Sequence, residues 1–93
     1  MRIDYTDHLR FRLEVREIPE WMPARIYRQS EERYYDHSTG HHIAVLSLEY
    51  HERVKPVMIA YDDFEDRVEI VTIHPITRVA IEKRVSTGRW TRE

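Results

Sequence analysis

The stretch that decides the fold is Val68-Glu-Ile-Val-Thr-Ile-His-Pro-Ile-Thr-Arg-Val-Ala-Ile-Glu-Lys-Arg-Val-Ser-Thr-Gly-Arg-Trp90. It begins as an apolar strand, reaches a His-Pro corner and continues with helical spacing of its apolar residues. Gly88 is the kind of residue that ends a helix, because it enters the left-handed conformation at no steric cost. The stretch therefore predicts a last strand from Val68 to His74 and a closing helix from Thr77 to Thr87.

The segments before this stretch predict further strands. From His42 to Tyr50 the side chains alternate between two faces, and Val57 to Tyr61 follows after a polar turn. Short acidic turns between such segments are typical of antiparallel hairpins. The segment from Ser30 to Gly40 is polar and rich in turn residues, and the pair Tyr34-Tyr35 within it either begins a strand or belongs to the loop.

The N-terminal third predicts two helices. The first runs from His8 to Glu17, with Thr6 or Asp7 as its N-cap and Pro19 as its stop. The residues from Ile3 to Tyr5 form either a short first strand or a lead-in.

The second helix runs from Glu20 or Pro23 to Gln29, because proline suits the first turn of a helix. The predicted order is then two N-terminal helices, three or four antiparallel strands and a C-terminal helix. That order predicts an α+β domain of two layers, in which the helices pack on one face of a curved antiparallel sheet. A chain of 93 residues has room for one such core, so we expect residues 1–93 to form a single domain.

The composition excludes several classes of protein. A chain that is 41% hydrophobic and 34% charged is too apolar for intrinsic disorder. The absence of cysteine excludes a disulfide framework, a zinc–thiolate site and a cysteine nucleophile. No apolar run reaches membrane-spanning length, and the start Met1-Arg-Ile-Asp-Tyr5 lacks the apolar core of a signal peptide. We therefore expect a cytoplasmic protein that has no contact with a membrane.

The charge is distributed unevenly along the chain. The net charge of −2 argues against a nonspecific nucleic-acid binder. However, residues 34–73 carry three basic and eight acidic side chains, whereas residues 74–93 carry five basic and two acidic ones. Opposite poles on a small domain steer an anionic ligand toward the basic end.

Cationic side chains converge where the last strand meets the closing helix. Four cations, Arg78, Lys83, Arg84 and Arg89, lie close in sequence to the imidazole of His74. Cations around one titratable imidazole are what a phosphate-handling site requires. An ordinary basic terminal helix has the same composition, and that interpretation stays open here.

Arg84 and His74 are the two candidates with a specific role. Arg84 falls inside the apolar stripe of the closing helix, so it either pairs with a sheet carboxylate, such as Glu49 or Glu69, or faces a cleft. His74 ends the last strand in phase with Val68 and suits a general acid or base. The alternative is that its imidazole only bonds a backbone carbonyl and holds the corner.

Three further groups are weaker candidates. His8 and Arg12 are neighbours on one face of the first helix and either contact phosphates or form a solvated face. Trp90 either stacks on a base or anchors the end of the domain. Tyr35 and Asp36 either project toward a cleft between their loop and the closing helix or only form part of the turn.

The loop between the second helix and the meander contains three histidines. His37, His41 and His42 do not follow a recognised metal-ligand spacing, and a turn stabilised by Asp36 and Gly40 explains the segment more simply. We expect no bound metal and no cofactor.

Three phrases together support a resemblance: Tyr34-Tyr-Asp-His-Ser-Thr-Gly-His-His-Ile-Ala-Val45, Val71-Thr-Ile-His-Pro75 and Lys83-Arg-Val-Ser-Thr-Gly-Arg-Trp90. From His8 to Trp90 the chain resembles small uncharacterised prokaryotic proteins that are grouped with RelE/ParE-type toxins in the barnase–colicin–RelE-like fold. The resemblance implies a RelE-like two-layer domain, with helices on one side of a curved antiparallel sheet.

The resemblance also implies an activity. Active members cleave RNA through attack of the ribose 2′-hydroxyl on the adjacent phosphate. Transferred to this chain, His74 is the acid or base, Arg84 stabilises the developing charge with Arg78 or Arg89, and Tyr35 stacks on a base or donates a proton. RNA binding is then expected of a set around these groups, namely Arg78, Lys83, Arg89, Trp90, His8 and Arg12.

Two functions follow from these observations. The first is a toxin-type endoribonuclease (an mRNA interferase) that acts on RNA or on the ribosome and is neutralised by a cognate antitoxin protein. The second is a non-catalytic binding module of the same fold, whose basic end docks an acidic protein or a nucleic acid. A homodimer that closes through an exposed edge strand is a third, structural option.

Overall fold

The computed structural model describes residues 1–93 as three helices and six strands. The elements, in chain order, are β1 (Arg2–Tyr5), α1 (Asp7–Val15), α2 (Trp21–Gln29), β2 (Glu32–Asp36), β3 (His42–Tyr50), β4 (Arg53–Asp63), β5 (Arg67–Pro75), α3 (Arg78–Ser86) and β6 (Trp90–Arg92). None of the helices has the length and apolar character needed to cross a membrane.

All six strands belong to one sheet, in the order β1-β5-β4-β3-β2-β6. β1 runs parallel to β5, and every other pair of neighbours is antiparallel. The prediction of a purely antiparallel sheet of three or four strands is therefore wrong. β1 and β6 are only four and three residues long, too short for a period-2 pattern, and each pairs with a strand remote in sequence.

Helices cover both faces of this sheet, so the prediction of two layers with all helices on one face is also wrong. On one face α1 and α2 pack over a core that includes Ala44 and Ile59. On the other face α3 packs over a smaller core that includes Ile43 and Met58. Because successive residues of β3 and β4 are apolar, both faces of these central strands are buried and each requires a covering layer.

A β-bulge in β5 changes which residues share a face. Ile70 pairs with Tyr61 and Thr72 pairs with Ala60, so Val71 is left without a partner in the ladder. A single extra residue reverses the alternation beyond it. His74 consequently faces α3, whereas Ile70 lies in the core under α1 and α2, and the prediction that His74 is in phase with the start of its strand is wrong.

The start of α1 is fastened to β5 where β1 ends. The Thr6 hydroxyl accepts a hydrogen bond from the Leu9 amide at 3.1 Å, and it donates one to the Val71 carbonyl at 3.1 Å. The Thr6 amide also donates to the Ile70 carbonyl at 3.1 Å. Thr6 is thus the N-cap, and α1 lies beside the half of β5 that pairs with β4 but is not covered by β1 on its other edge.

Both ends of α3 lie within one residue of the positions predicted from the sequence. Thr77 caps its first turn by accepting a hydrogen bond from the Ala80 amide at 3.1 Å. Gly88 follows in the left-handed region with φ of 81° and turns the chain back toward the sheet. Trp90 is thereby delivered to β6, beside β2.

Candidate functional site

A cleft of about 320 Å³ opens on the α3 face of the sheet, at the side where α1 borders β5. Apolar residues of β3, β4 and β5 form its floor, and polar side chains from four separate parts of the chain surround it. Six of the residues singled out from the sequence line it together: His8, Arg12, His74, Arg84, Arg89 and Trp90. The cleft is therefore the place where the sequence-derived candidates meet.

His74 lines this cleft, and one of its ring nitrogens makes a hydrogen bond within the protein. Its Nδ1 lies 3.2 Å from the Pro75 carbonyl oxygen, which can only accept, so Nδ1 carries the hydrogen. Burial lowers the pKa of His74 below its ordinary value, the Pro75 bond opposes this, and the charges of Arg12 and Arg84 lower it further. The imidazole is neutral at pH 7, and Nε2 presents its lone pair.

Arg84 approaches the same cleft from α3 without a carboxylate partner. Its guanidinium lies 5.0 Å from the centre of the Trp90 ring, and one of its nitrogens lies 3.9 Å from the Met58 sulfur. Neither Glu49 nor Glu69 pairs with it. The alternative of a salt bridge to the sheet is therefore wrong.

Arg12 is a second unpaired cation, on the α1 side of the cleft. It takes part in no ion pair, and its Nε is buried without a hydrogen-bond partner. Buried donors are almost always satisfied in folded proteins. Because this Nε is closed to solvent, a ligand in the cleft would meet the terminal nitrogens of Arg12, which are not buried.

Arg89, by contrast, is held by Asp36, which was expected either to stabilise a turn or to project toward the cleft. Its Nε and one terminal nitrogen reach the two oxygens of Asp36 at 3.1 and 3.0 Å. Burial opposes ionisation of Asp36, but the bonds from Arg89 and from the Ser38 amide at 2.9 Å outweigh it and hold its pKa at about 2. The partners are 53 residues apart, so no local pattern indicated the pair.

Trp90 is a packing anchor, and its ring is too buried to stack on a nucleobase. Its side chain is 1% exposed and stacks on Tyr34 with the ring centres 5.2 Å apart. Its indole N–H contributes to the low pKa of Asp36 without reaching hydrogen-bond geometry. The buried Trp90 ring therefore packs beneath the Arg84 guanidinium and supports it.

Three of the predicted site residues lie outside the cleft. Tyr35 contacts His37 and His42, with ring centres 4.9 and 5.6 Å apart. Because Tyr34 packs in the core under α3, the alternation of β2 places Tyr35 on the opposite face of the sheet. Arg78 pairs with Glu32 at 2.7 Å, and Lys83 is exposed on α3.

The three loop histidines have three separate partners. His37 Nε2 lies 3.0 Å from the Thr91 hydroxyl, and His42 Nδ1 lies 2.9 Å from the Glu93 carboxylate. His41 Nδ1 lies 2.7 Å from an oxygen of Asp62 and lines the cleft. They do not gather into a group of metal ligands.

A larger cavity, of about 600 Å³, lies between the start of α2 and the β3–β4 hairpin. Three glutamates line it, Glu17, Glu49 and Glu52, together with the exposed Trp21 and a single arginine, Arg25. An acidic lining repels phosphate, and none of the predicted site residues lies there. The smaller cationic cleft is therefore the better candidate for the chemistry.

No known protein family, curated protein or solved structure matches this chain. The resemblance to RelE/ParE-type toxins accordingly stays a prediction from sequence. What the geometry provides is a cleft in which two unpaired guanidinium groups border a neutral imidazole. Such an arrangement can bind an oxyanion and accept a proton from a group beside it.

Proposed function

We propose that this protein is a toxin-type endoribonuclease that binds an RNA phosphodiester in the cleft and cleaves it by attack of the 2′-hydroxyl. The observation that carries the proposal is the pair of unpaired arginines, Arg12 and Arg84, beside neutral His74. The neighbouring cations Arg78 and Arg89 are both neutralised by carboxylates. Of the three arginines that line the cleft, Arg12 and Arg84 are the two without a carboxylate partner.

The unpaired state of these arginines favours an anionic ligand. Both arginines are only partly exposed, and neither has a carboxylate partner within the protein. A phosphodiester supplies charge and acceptor oxygens together, and arginine binds phosphate through two parallel hydrogen bonds. A bound phosphodiester would therefore supply both arginines with the counter-charge that the protein itself does not provide.

RNA suits the cleft better than DNA because RNA carries its own nucleophile. In this proposal the free Nε2 of His74 takes the proton of a 2′-hydroxyl, and the two arginines stabilise the charge that develops on the phosphorane. An RNA substrate agrees with the expected cytoplasmic location. Because such an activity harms the cell that makes it, the proposal includes a cognate antitoxin protein that covers the cleft.

The test is cleavage of a single-stranded RNA oligonucleotide by purified protein, with the ends of the products analysed. The wild type is expected to leave a 2′,3′-cyclic phosphate and a 5′-hydroxyl. Arg84→Ala, Arg12→Ala and His74→Ala should each reduce the rate by about 100-fold or more.

Two matched control variants test whether the loss of cleavage is specific to the cleft or follows from the removal of any surface charge. Lys83→Ala changes the cation next to Arg84 on α3, and Arg10→Ala changes an exposed cation of α1. Both should retain the wild-type rate. Equal loss in controls and cleft variants, or no cleavage by the wild type, would overturn the proposal.

One observation favours the second candidate, a binding module without catalysis. The bond from His74 Nδ1 to the Pro75 carbonyl is also what a histidine with a purely structural role makes. In that case RNA or an acidic protein binds at the arginines, the complex weakens with salt and no bond is broken. Binding lost in Arg84→Ala but retained in His74→Ala, with intact RNA throughout, would establish this alternative.

A further inference from the structure

A second imidazole faces the cleft from the side away from His74. His41 directly precedes β3, His74 lies on β5, and β4 runs between them, with Ala60 in the floor. From the sequence, His41 was expected only to belong to a turn, with no role in the chemistry. The cleft thus has a histidine on each side of its floor, and the proposed function uses one of them.

His41 is held in a defined tautomer by Asp62. Its Nδ1 lies 2.7 Å from an Asp62 oxygen, and a carboxylate can only accept, so Nδ1 is the donor. The side chains are 30% and 32% exposed, so the pair is half-buried. Nε2 is then the nitrogen left to exchange a proton with a ligand in the cleft, as Nε2 is for His74.

We propose that His41 is the general acid of the cleavage reaction and that Asp62 is its positioning residue. The assignment rests on the proposed function and adds to it a second group in contact with the substrate. His74 is the base because it stands beside Arg12 and Arg84 in the cleft, where burial, and to a lesser extent those two charges, favours the neutral ring. His41 is the acid because it lines the other side of the cleft floor and its bond to Asp62 fixes the ring with Nε2 left for the substrate.

The reaction then balances in protons and electrons. His74 Nε2 takes the proton of the 2′-hydroxyl while that oxygen forms a bond to phosphorus. The bond between phosphorus and the 5′-oxygen breaks, and the 5′-oxygen leaves with the electron pair and takes the proton from His41 Nε2. The products are a 2′,3′-cyclic phosphate and a 5′-hydroxyl, and exchange with water returns both histidines to their starting states.

The test uses two RNA oligonucleotides that differ in one atom, with oxygen or sulfur as the bridging 5′ atom at the cleavage site. A thiolate leaves without being protonated, so the sulfur substrate does not need a general acid. His41→Ala should cleave the oxygen substrate about 100-fold more slowly than the wild type does and the sulfur substrate at close to the wild-type rate. Asp62→Asn should show a smaller loss that sulfur also restores, whereas His74→Ala should be impaired on both substrates.

Two controls guard against loss of folding or binding. His37→Ala changes a histidine of the same loop that does not line the cleft, and it should behave as the wild type on both substrates. The affinity of His41→Ala for an RNA with a 2′-O-methyl group at the cleavage site should also equal that of the wild type.

The outcomes distinguish the assignment from the proposed function. If the wild type cleaves RNA and His41→Ala is unimpaired, or is impaired equally on both substrates, His41 is not the acid and the proposed function stands. If the wild type cleaves neither substrate, the proposed function falls and the assignment falls with it.

Discussion

Replacing Asp36 by asparagine should destabilise the protein at neutral pH by an amount that disappears in acid. The Asp36 side chain is 4% exposed and bonds Arg89 through both oxygens, at 3.1 and 3.0 Å. The asparagine side chain would keep an acceptor for the Ser38 amide but would lose the charge. Arg89 is 40% exposed, so its guanidinium can be solvated by water in the variant.

The magnitude follows from the pKa of Asp36 in the folded protein. A decrease from the ordinary 3.8 to about 2 corresponds to about 2.5 kcal/mol of stability, at about 1.4 kcal/mol per pH unit. Because the folded pKa is lowered, this stability is fully present above pH 3.8 and is lost as the pH falls toward 2. About half of it should be lost at pH 3.

The assay is urea unfolding of the wild type and Asp36→Asn at several pH values between 7 and 3. The free energies of unfolding should differ by about 2 kcal/mol at pH 7, and the difference should shrink below about pH 4. Asp66→Asn is the matched control, because Asp66 also pairs with an arginine but is 68% exposed, and its effect should stay within about 0.5 kcal/mol. A difference that is absent at pH 7, or that persists unchanged at pH 3, would refute this account of the ion pair.

Three other predictions concern stability. Burial lowers the pKa of His74 below its ordinary 6.5, so the stability from its neutral form is complete above pH 6.5 and is lost as the pH falls through the folded pKa. The melting temperature of His74→Asn should therefore fall less than that of the wild type between pH 8 and 5, and parallel curves would contradict this. Thr77→Ala removes the N-cap of α3 and should cost about 1 kcal/mol in urea unfolding, so an unchanged midpoint would exclude the cap as a stabilising contact. Trp90→Ala empties a position that is 1% exposed and should cost about 3–5 kcal/mol, measured by unfolding followed with near-ultraviolet circular dichroism. A loss below about 1 kcal/mol would show that Trp90 is not an anchor.

Local patterns predicted the elements whose signals are contained within a few residues. The closing helix was predicted as Thr77 to Thr87 and forms from Arg78 to Ser86, because its cap and its terminal glycine lie in the sequence itself. β4 is longer than predicted, since the hairpin loop consists of His51 and Glu52, both with positive φ. These residue types do not mark a left-handed turn in the way that asparagine and glycine do.

Local patterns also predicted some of the residues that line the cleft. Arg84 was expected either to form an ion pair with a carboxylate or to face a cleft, because a charge inside an apolar helical stripe needs a counter-charge or contact with solvent. His8 and Arg12 were recognised only as neighbours on one helix face, since nothing in their spacing shows that this face borders β5. The Asp36–Arg89 and His41–Asp62 pairs join residues 53 and 21 positions apart, and a sequence pattern does not report which distant residues meet.

The sequence alone determined the closing helix and its end at Gly88 and the basic character of the C-terminal quarter, because each depends on neighbouring side chains. Only the tertiary structure decided on which face of the sheet the cleft residues act. The bulge at Val71 turns His74 toward α3, and the short strands β1 and β6 complete a sheet that has helices on both sides. The physical reason is that register and strand order are set by hydrogen bonds and packing between distant segments, which leave no local periodicity in the chain.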